Sequence, residues 1–175
     1  MFPVSCFPRR RAVLLAGLGA TVLAPAARSA ELPAPKGRVI LTIDGKIGRH
    51  NQGQQAAFDM AMLQALPQHS FTTNTPWYSR PVKFTGPLLR EVLDAVKVEG
   101  RTIQASAIND YSIGIPVSDA YQHRVIIARL IDDHEVPVRL KGPLFVVYPF
   151  DEKTELRTSV YIERSIWQLR HMSIE

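Results

Sequence analysis

The chain has 175 residues, of which 46% are hydrophobic and 21% charged, and its formal net charge is +5. These proportions are those of a globular domain and exclude a disordered or low-complexity chain. Residues 1–30 hold four arginines (Arg9, Arg10, Arg11 and Arg28) and no acid, so the rest of the chain keeps 17 basic against 16 acidic residues. A net charge of +1 removes the case for a nucleic-acid-binding or anionic-membrane-binding surface.

The N-terminal segment predicts an export signal. Three arginines at 9–11 precede an apolar, small-residue run at 12–26, which is too short to span a membrane. We expect residues 1–30 to be a cleaved signal peptide, residues 31–37 to be a flexible lead-in, and residues 38–175 to form one domain. The Arg-Arg-Arg-Ala-Val-Leu run resembles a twin-arginine signal, and Sec export is the alternative.

The chemistry that the sequence lacks is informative. Cys6, the one cysteine, lies in the predicted signal, so the mature protein would have no disulfide, thiolate ligand or cysteine nucleophile. The five histidines show no metal-ligand spacing. We find no nucleophile elbow, phosphate-binding loop or dinucleotide fingerprint. We therefore predict no catalytic residue and no metal site.

The first half of the domain predicts two strands and two helices. Residues 38–44 are β-branched and predict a strand, and a polar loop follows at 46–54. Residues 55–66 carry an apolar stripe at helical spacing, and Pro67 ends the predicted helix. Residues 71–89 predict a short strand, a polar Thr-Asn-Thr-Pro turn at 73–76, and the start of a second helix at 86–96.

The second half is richer in strands. Asn109-Asp110-Tyr111 predicts a turn, 118–121 a turn or short helix, 132–134 another turn, and 151–158 a charged loop. Strand-like segments are expected at 102–108, 124–131 (a central strand), 136–140 (a short edge), 144–150 and the C-terminus. The predicted fold class is α+β: a single strand-rich domain of mixed sheets with two or three helices.

Residues 71–89 are the strongest candidate for a ligand site. The hydroxyl and amide groups of Thr73, Asn74 and Thr75 stand beside the aromatic side chains of Trp77 and Tyr78. Such a set suits a planar polar ligand, because aromatics can stack on its faces and polar groups can bind its edge. The alternative is a plain strand-to-helix connection with a core tryptophan.

Four motifs occur in the order seen in the molybdopterin-binding domain of sulfite-oxidase-type enzymes: FTGPLLREVLDAV, NDYSIGIPVSDA, VIIARLIDDHEVPVRLKGPLFVVYP and SIWQLRHMSI. Residues 71–174 therefore resemble that domain, and the resemblance implies its fold. In those enzymes a cysteine thiolate ligates molybdenum, whereas the matching residues here, 72–77, contain no sulfur. Sulfite-oxidase-type catalysis is not expected, because threonine and asparagine are poor substitutes for a thiolate.

The segments TNTPW, FTGPLL, NDYS, GPLFVVYPF and RSIWQL resemble the small exported proteins of this fold that bind a free pterin. That resemblance implies a periplasmic, non-catalytic sensor of a reduced pterin. Its partner would be the periplasmic domain of an inner-membrane signalling protein linked to cyclic-di-GMP. No covalently bound cofactor is expected. One alternative is a molybdopterin-dependent oxidoreductase that holds its cofactor without cysteine, and another is an interaction module with a vestigial cleft.

If the ligand is a pterin, its edge and faces assign roles to the candidate residues. Asp110, or the Asn109 amide, would pair with the 2-amino and N3 edge. Trp77, Tyr111 or Trp167 would stack on the ring. The remaining candidates would contact the ring carbonyl or polar substituents: Thr73, Asn74, Thr75 and Arg164. The alternatives are a simple turn at 109–110, a core Trp167, and a structural Arg164 paired with Glu163 or Asp151.

Overall fold

The computed structural model describes residues 32–175, which form mixed sheets with short helices. The strands are β1 (Val39–Gly45), β2 (Ala56–Asp59), β3 (His69–Thr75), β4 (Tyr78–Gly86), β5 (Thr102–Ala107), β6 (Ser112–Pro116), β7 (Ile126–Ala128), β8 (Leu130–Ile131), β9 (His134–Glu135), β10 (Phe145–Val147) and β11 (Leu169–Ile174). The α-helices are α1 (Met60–Ala65), α2 (Leu89–Val96), α3 (Val117–Gln122) and α4 (Ser159–Arg164), and 3-10 turns lie at Val138–Leu140 and Thr154–Leu156.

Three sheets organise these strands. A five-stranded sheet has the order β2-β1-β11-β5-β6, with β1 and β11 parallel and the other pairs antiparallel. A four-stranded sheet has the order β3-β4-β8-β9, and β7 pairs with β10. The alternating burial along β5 shows one face of the large sheet turned to the core. The strand-rich α+β prediction is confirmed, with four α-helices in place of two or three.

The predicted helix at 55–66 is wrong in its first third. Residues Ala56–Asp59 form β2, which is fully buried and pairs with β1. The helix begins only after Asp59, whose Oδ1 accepts the Met62 N–H at 2.9 Å. The Asn51 side chain fixes the strand by accepting the Ala57 N–H and donating to the Ala57 carbonyl. A buried strand and an N-cap therefore divide a segment whose apolar spacing fits a helix throughout.

The predicted turn at 73–76 is also wrong in extent. Strands β3 and β4 form a hairpin in which Thr73 and Thr75 are part of β3, and only Pro76 and Trp77 connect the strands. Residues Tyr78–Gly86 continue as β4, so α2 begins at Leu89 and not at 86. The Glu91 side chain accepts the Leu88 N–H at 2.9 Å and satisfies one free donor at the start of α2.

Three further segments differ from prediction. Residues 124–131 form two short strands: β7 pairs with β10, and β8 pairs with β4. The edge expected at 136–140 is a 3-10 turn, and the edge strand is β9, reached through a turn at Asp132 and Asp133, both in the left-handed region. Helix α4 was not predicted.

The predicted signal peptide lies outside the described residues, and no helix within them is long and apolar enough to cross a membrane.

Candidate ligand-binding site

Two cavities share one side chain, Ile162 of α4, and the first of them lies at the end of the β3–β4 hairpin. The polar cavity has a volume of about 350 Å³ and is lined by Asn74, Thr75, Pro76, Phe150, Asp151, Arg157 and Ile162. The aromatic cavity has a volume of about 290 Å³ and is lined by Asn109, Tyr111, Ile162, Glu163, Ser165, Ile166 and Trp167. Ile162 separates a polar compartment from one that offers ring faces.

The polar cavity is shaped by a clamp between the hairpin and the loop after β10. Asp151 Oδ2 accepts the Asn74 backbone N–H at 2.7 Å and the Asn74 amide at 2.9 Å, while the Asp151 N–H donates to Thr73 Oγ1 at 3.0 Å. Arg157 donates to Asp151 Oδ1 at 2.9 Å and to the Phe150 carbonyl at 3.0 Å. The Asn74 backbone N–H is the main cause that holds the pKa of Asp151 below its usual value. The carboxylate is therefore ionised at neutral pH, and both of its oxygens accept hydrogen bonds.

Thr75 lines the polar cavity, but its hydroxyl is closed to solvent. The residue is 9% exposed, and its Oγ1 is buried with no hydrogen-bond partner among residues 32–175. The unpaired hydroxyl is therefore a local cost to the fold and not a group offered to a ligand in the cavity.

The tryptophans build the wall beside the aromatic cavity. Trp77 packs edge-on against Phe145, with ring centroids 5.3 Å apart, and against Trp167 at 5.6 Å. Trp167 lines the cavity, whereas Trp77 stands behind it in the core packing. The Lys141 ammonium lies 5.4 Å from the centre of the Trp167 ring. Each of these rings packs edge-on against another ring, and this packing makes the wall rigid.

The turn between β5 and β6 supplies the other side of the aromatic cavity. Asn109 Oδ1 accepts the Tyr111 N–H at 3.3 Å, and Tyr111 Oη donates to the Glu163 carbonyl at 3.3 Å. Tyr111 is 45% exposed, so its ring forms part of the mouth of the cavity. This contact joins the turn to α4 across the cavity.

Two predicted site residues make contacts away from both cavities. Asp110 is a turn residue in the left-handed region, and its highly exposed carboxylate pairs with Arg170 at 3.1 Å. Arg164 turns to Asp119, 2.9 Å away, and stacks over Tyr161. Arg164 therefore has a structural role, as the alternative interpretation held. Its partner is Asp119, and not Glu163 or Asp151.

The nine predicted residues therefore fall into three groups. Five line a cavity: Asn74, Thr75, Asn109, Tyr111 and Trp167. Thr73 and Trp77 support the walls, and Asp110 and Arg164 point elsewhere. Sequence reasoning missed the contributions of 150–157 and of α4. The available signal was the charged loop predicted at 151–158, whose acids were not assigned to the site.

The donor set of this site does not fit a thiolate-ligated molybdenum centre. The only cysteine of the chain is Cys6, and the hairpin end offers hydroxyl and amide groups. Within residues 32–175, no group of three or more His, Cys, Asp or Glu side chains is placed to hold a metal ion. The walls of the two cavities instead offer amide groups from Asn74 and Asn109 and the ring of Trp167.

Comparison with known proteins identifies the fold of the described domain. No protein-family model matches the chain, and no curated protein does. Among solved structures, the sulfane dehydrogenase SoxCD from Paracoccus pantotrophus is similar, with a TM-score of 0.58 at 16% sequence identity. The match covers 77% of this chain and 37% of that one. The described domain therefore has the sulfite-oxidase-type molybdopterin-binding fold, in a chain that spans little more than a third of that neighbour.

Proposed function

We propose that this protein is a periplasmic, non-catalytic receptor for a free reduced pterin, and that it signals ligand occupancy to the periplasmic domain of an inner-membrane partner. The observation that carries the proposal is the pair of cavities that share Ile162, one lined by Asn74 and Arg157 and the other by Tyr111 and Trp167. A pterin has a polar, amide-like edge that suits the first cavity, and its flat ring suits the wall beside Trp167.

Two further observations support this assignment. The domain has the molybdopterin-binding fold that the sequence motifs predict, and the chain has no cysteine outside its first 31 residues. The second point favours binding without redox chemistry at molybdenum. The link to a cyclic-di-GMP enzyme comes from the sequence resemblance alone.

The test uses the two tryptophans as reporters. Because the chain has only Trp77 and Trp167, its intrinsic fluorescence reports directly on the cavity wall. We expect tetrahydrobiopterin to quench the fluorescence of the exported protein with a Kd in the micromolar range. In Trp77→Phe, the pterin should still quench the fluorescence of the remaining Trp167. In Trp167→Phe, most of the quenching by the pterin should be lost.

A matched pair of variants tests the location of the site. Ile162→Trp places a large side chain in the wall that both cavities share and should weaken binding at least tenfold. Val160→Trp is the control, because Val160 is an exposed residue of the same helix that lines neither cavity. Absence of binding at micromolar pterin, or equal weakening by both variants, would rule the proposal out.

The alternative function is a molybdopterin-dependent oxidoreductase that holds its cofactor without a cysteine ligand. The observation in its favour is the fold shared with a dehydrogenase. It predicts one equivalent of molybdenum in protein exported from its native host. A released pterin without molybdenum supports the receptor, whereas molybdenum with a dithiolene pterin supports the enzyme.

A further inference from the structure

Strand β3 is an edge of the four-stranded sheet and pairs on one side only, with β4. The hydrogen bonds of β4 show which backbone groups of β3 face outward. The carbonyls of Lys83 and Thr85 accept N–H groups from the residues that flank β8, at 2.8 and 2.9 Å. Because backbone groups alternate in direction along an antiparallel strand, Val82 and Phe84 turn theirs toward β3.

The outward-facing residues of β3 are Ser70 and Thr72. Phe71 and Thr73 are the partners of the two β4 residues that face β3, so their backbone groups are used within the sheet. The N–H and C=O groups of Ser70 and Thr72 therefore point away from β4. None of these groups has a hydrogen-bond partner among residues 32–175, and both side chains are exposed. The edge is open over this stretch.

The other edges of the two larger sheets are closed or short. The Asn51 side chain closes β2, because it bonds both the N–H and the carbonyl of Ala57. Strand β6 ends at Pro116, and β9 has two residues and is followed by Pro137 after one more residue. Proline and short strands limit pairing at an edge. Strand β3 has seven residues, none of them proline or lysine, and is the edge best suited to pair with another strand.

The position of the open groups selects one register for pairing between two copies of β3. With a two-fold axis at Phe71, Ser70 of one copy lies opposite Thr72 of the other. This antiparallel register satisfies every outward N–H and C=O group of both residues in both copies. An axis at Thr72 would instead place Ser70 opposite Asn74, whose N–H already donates to Asp151 at 2.7 Å.

The side chains along this edge are compatible with a second copy. Ser70 and Thr72 carry no charge, so two copies of the strand would meet without repulsion. Each pair would bring a serine hydroxyl opposite a threonine hydroxyl, and such pairs stabilise antiparallel strands. Lys83, the partner of Thr72 on β4, is already paired with Asp133 at 2.8 Å. The edge is therefore self-complementary and offers no free charge that would select a charged strand.

We propose that the protein self-associates through β3 as an antiparallel two-fold dimer with its axis at Phe71. Stable interfaces bury roughly 1,600 Å², and a single pair of edge strands supplies only part of such an area. The dimer should therefore be reversible and form at high concentration. This surface is distinct from the proposed pterin site, and the proposal does not depend on it.

The first test is a concentration series of the exported protein. Sedimentation velocity should show a monomer at about 1 µM and mainly a dimer at about 1 mM. Amide exchange at Ser70 and Thr72, measured by NMR, should slow several-fold between about 50 µM and 1 mM, because both N–H groups become bonded. Phe71 and Thr73 are internal controls, since their N–H groups already bond β4.

Matched variants locate the contact. Thr72→Pro removes an outward N–H that the sheet does not use, and it should raise the Kd of the dimer at least tenfold. Thr72→Lys brings like charges together across the axis and should raise the Kd several-fold at low salt. Ser118→Lys makes the same charge change at an exposed hydroxyl residue of α3 and should leave the Kd unchanged. If Thr72→Pro does not fold, as judged by its thermal melt, Thr72→Lys still carries the test.

Three results would overturn the proposal. The first is a monomer at about 1 mM, which would leave the β3 edge to a strand of another protein. The others are a dimer with unchanged amide exchange at Ser70 and Thr72, and equal effects of Thr72→Lys and Ser118→Lys. Pterin binding is measured separately by fluorescence, so the two proposals can fail independently.

Discussion

The contact between α4 and α3 allows a quantitative prediction. Asp119 Oδ2 accepts both the Tyr148 hydroxyl at 2.8 Å and the Arg164 guanidinium at 2.9 Å. The Asp119 side chain is 6% exposed and that of Arg164 is 22% exposed. Arg164→Met keeps the length of the side chain but leaves a buried carboxylate with one donor in place of two.

Two limits set the size of the effect. Removing one partner of a fully buried ion pair costs about 3–5 kcal/mol, and a hydrogen bond to a charged group contributes about 1.5–3 kcal/mol. Arg164 is partly exposed and Tyr148 remains bonded to Asp119, so the lower range applies. We expect Arg164→Met to lower the free energy of unfolding by about 2–3 kcal/mol.

The assay is urea unfolding of a double-mutant cycle. Asp119→Asn removes the charge while keeping an acceptor for Tyr148, so the double variant should be more stable than the sum of the single effects by at least about 1 kcal/mol. The m-value should stay unchanged, since the packing of the core is kept. Additive effects within about 0.5 kcal/mol would refute the assignment of Arg164 to Asp119. Since α4 also carries Ile162, Arg164→Met should in addition weaken pterin binding.

Three other expectations follow from individual contacts. The pKa of Asp151 lies below its unfolded value of about 3.9, so its stabilising effect is present above that pH and is lost as the pH falls; the stability difference between the protein and Asp151→Asn should narrow below about pH 4 in urea melts. Tyr121 is 46% exposed, and partial desolvation of its hydroxyl, followed by its hydrogen bond to Asp94 at 2.7 Å, raises its pKa to about 12. Stability should therefore fall as the pH rises from about 10 to 12, and Tyr121→Phe should reduce that fall in thermal melts. Gly86→Ala would place a methyl group against the backbone carbonyl of Ile127 and should cost about 3 kcal/mol, whereas Gly114→Ala, which meets only side-chain atoms at 3.5 Å or more, should be tolerated in the same unfolding assay.

The sequence allowed the correct fold class but misplaced several elements, and the reasons are physical. Strand β1 and strand β5 were predicted because each is β-branched or alternating and ends in a turn. The helix at 55–66 was extended too far because β2 is buried on both faces, so its apolar residues do not alternate. Its true start depends on Asp59, whose capping role is visible only once the backbone of residues 36–37 is beside it.

The candidate site shows the same division between local and long-range information. The polar residues of the hairpin end were identified from their chemistry, and Asn74 and Thr75 do line a cavity. Asp151 was missed because its hydrogen bonds to Asn74 and Thr73 span 77 and 78 residues of sequence. Helix α4 was missed because its six residues carry no side-chain N-cap and no long apolar stripe. Contacts of this kind depend on the tertiary fold and leave no local pattern.

The charges that line the two cavities also bear on which kind of pterin the proposed site would accept. Arg157 is the one cation among their lining residues, and it is already paired with Asp151. The other charged lining residue, Glu163, is an exposed acid. A phosphate needs several cationic or backbone N–H donors. The cavity walls contain two acids, Asp151 and Glu163, which would repel it, and one cation, Arg157. The balance therefore favours an uncharged, free pterin over a phosphate-bearing cofactor. The absence of a thiolate from the hairpin end favours the same choice on independent grounds.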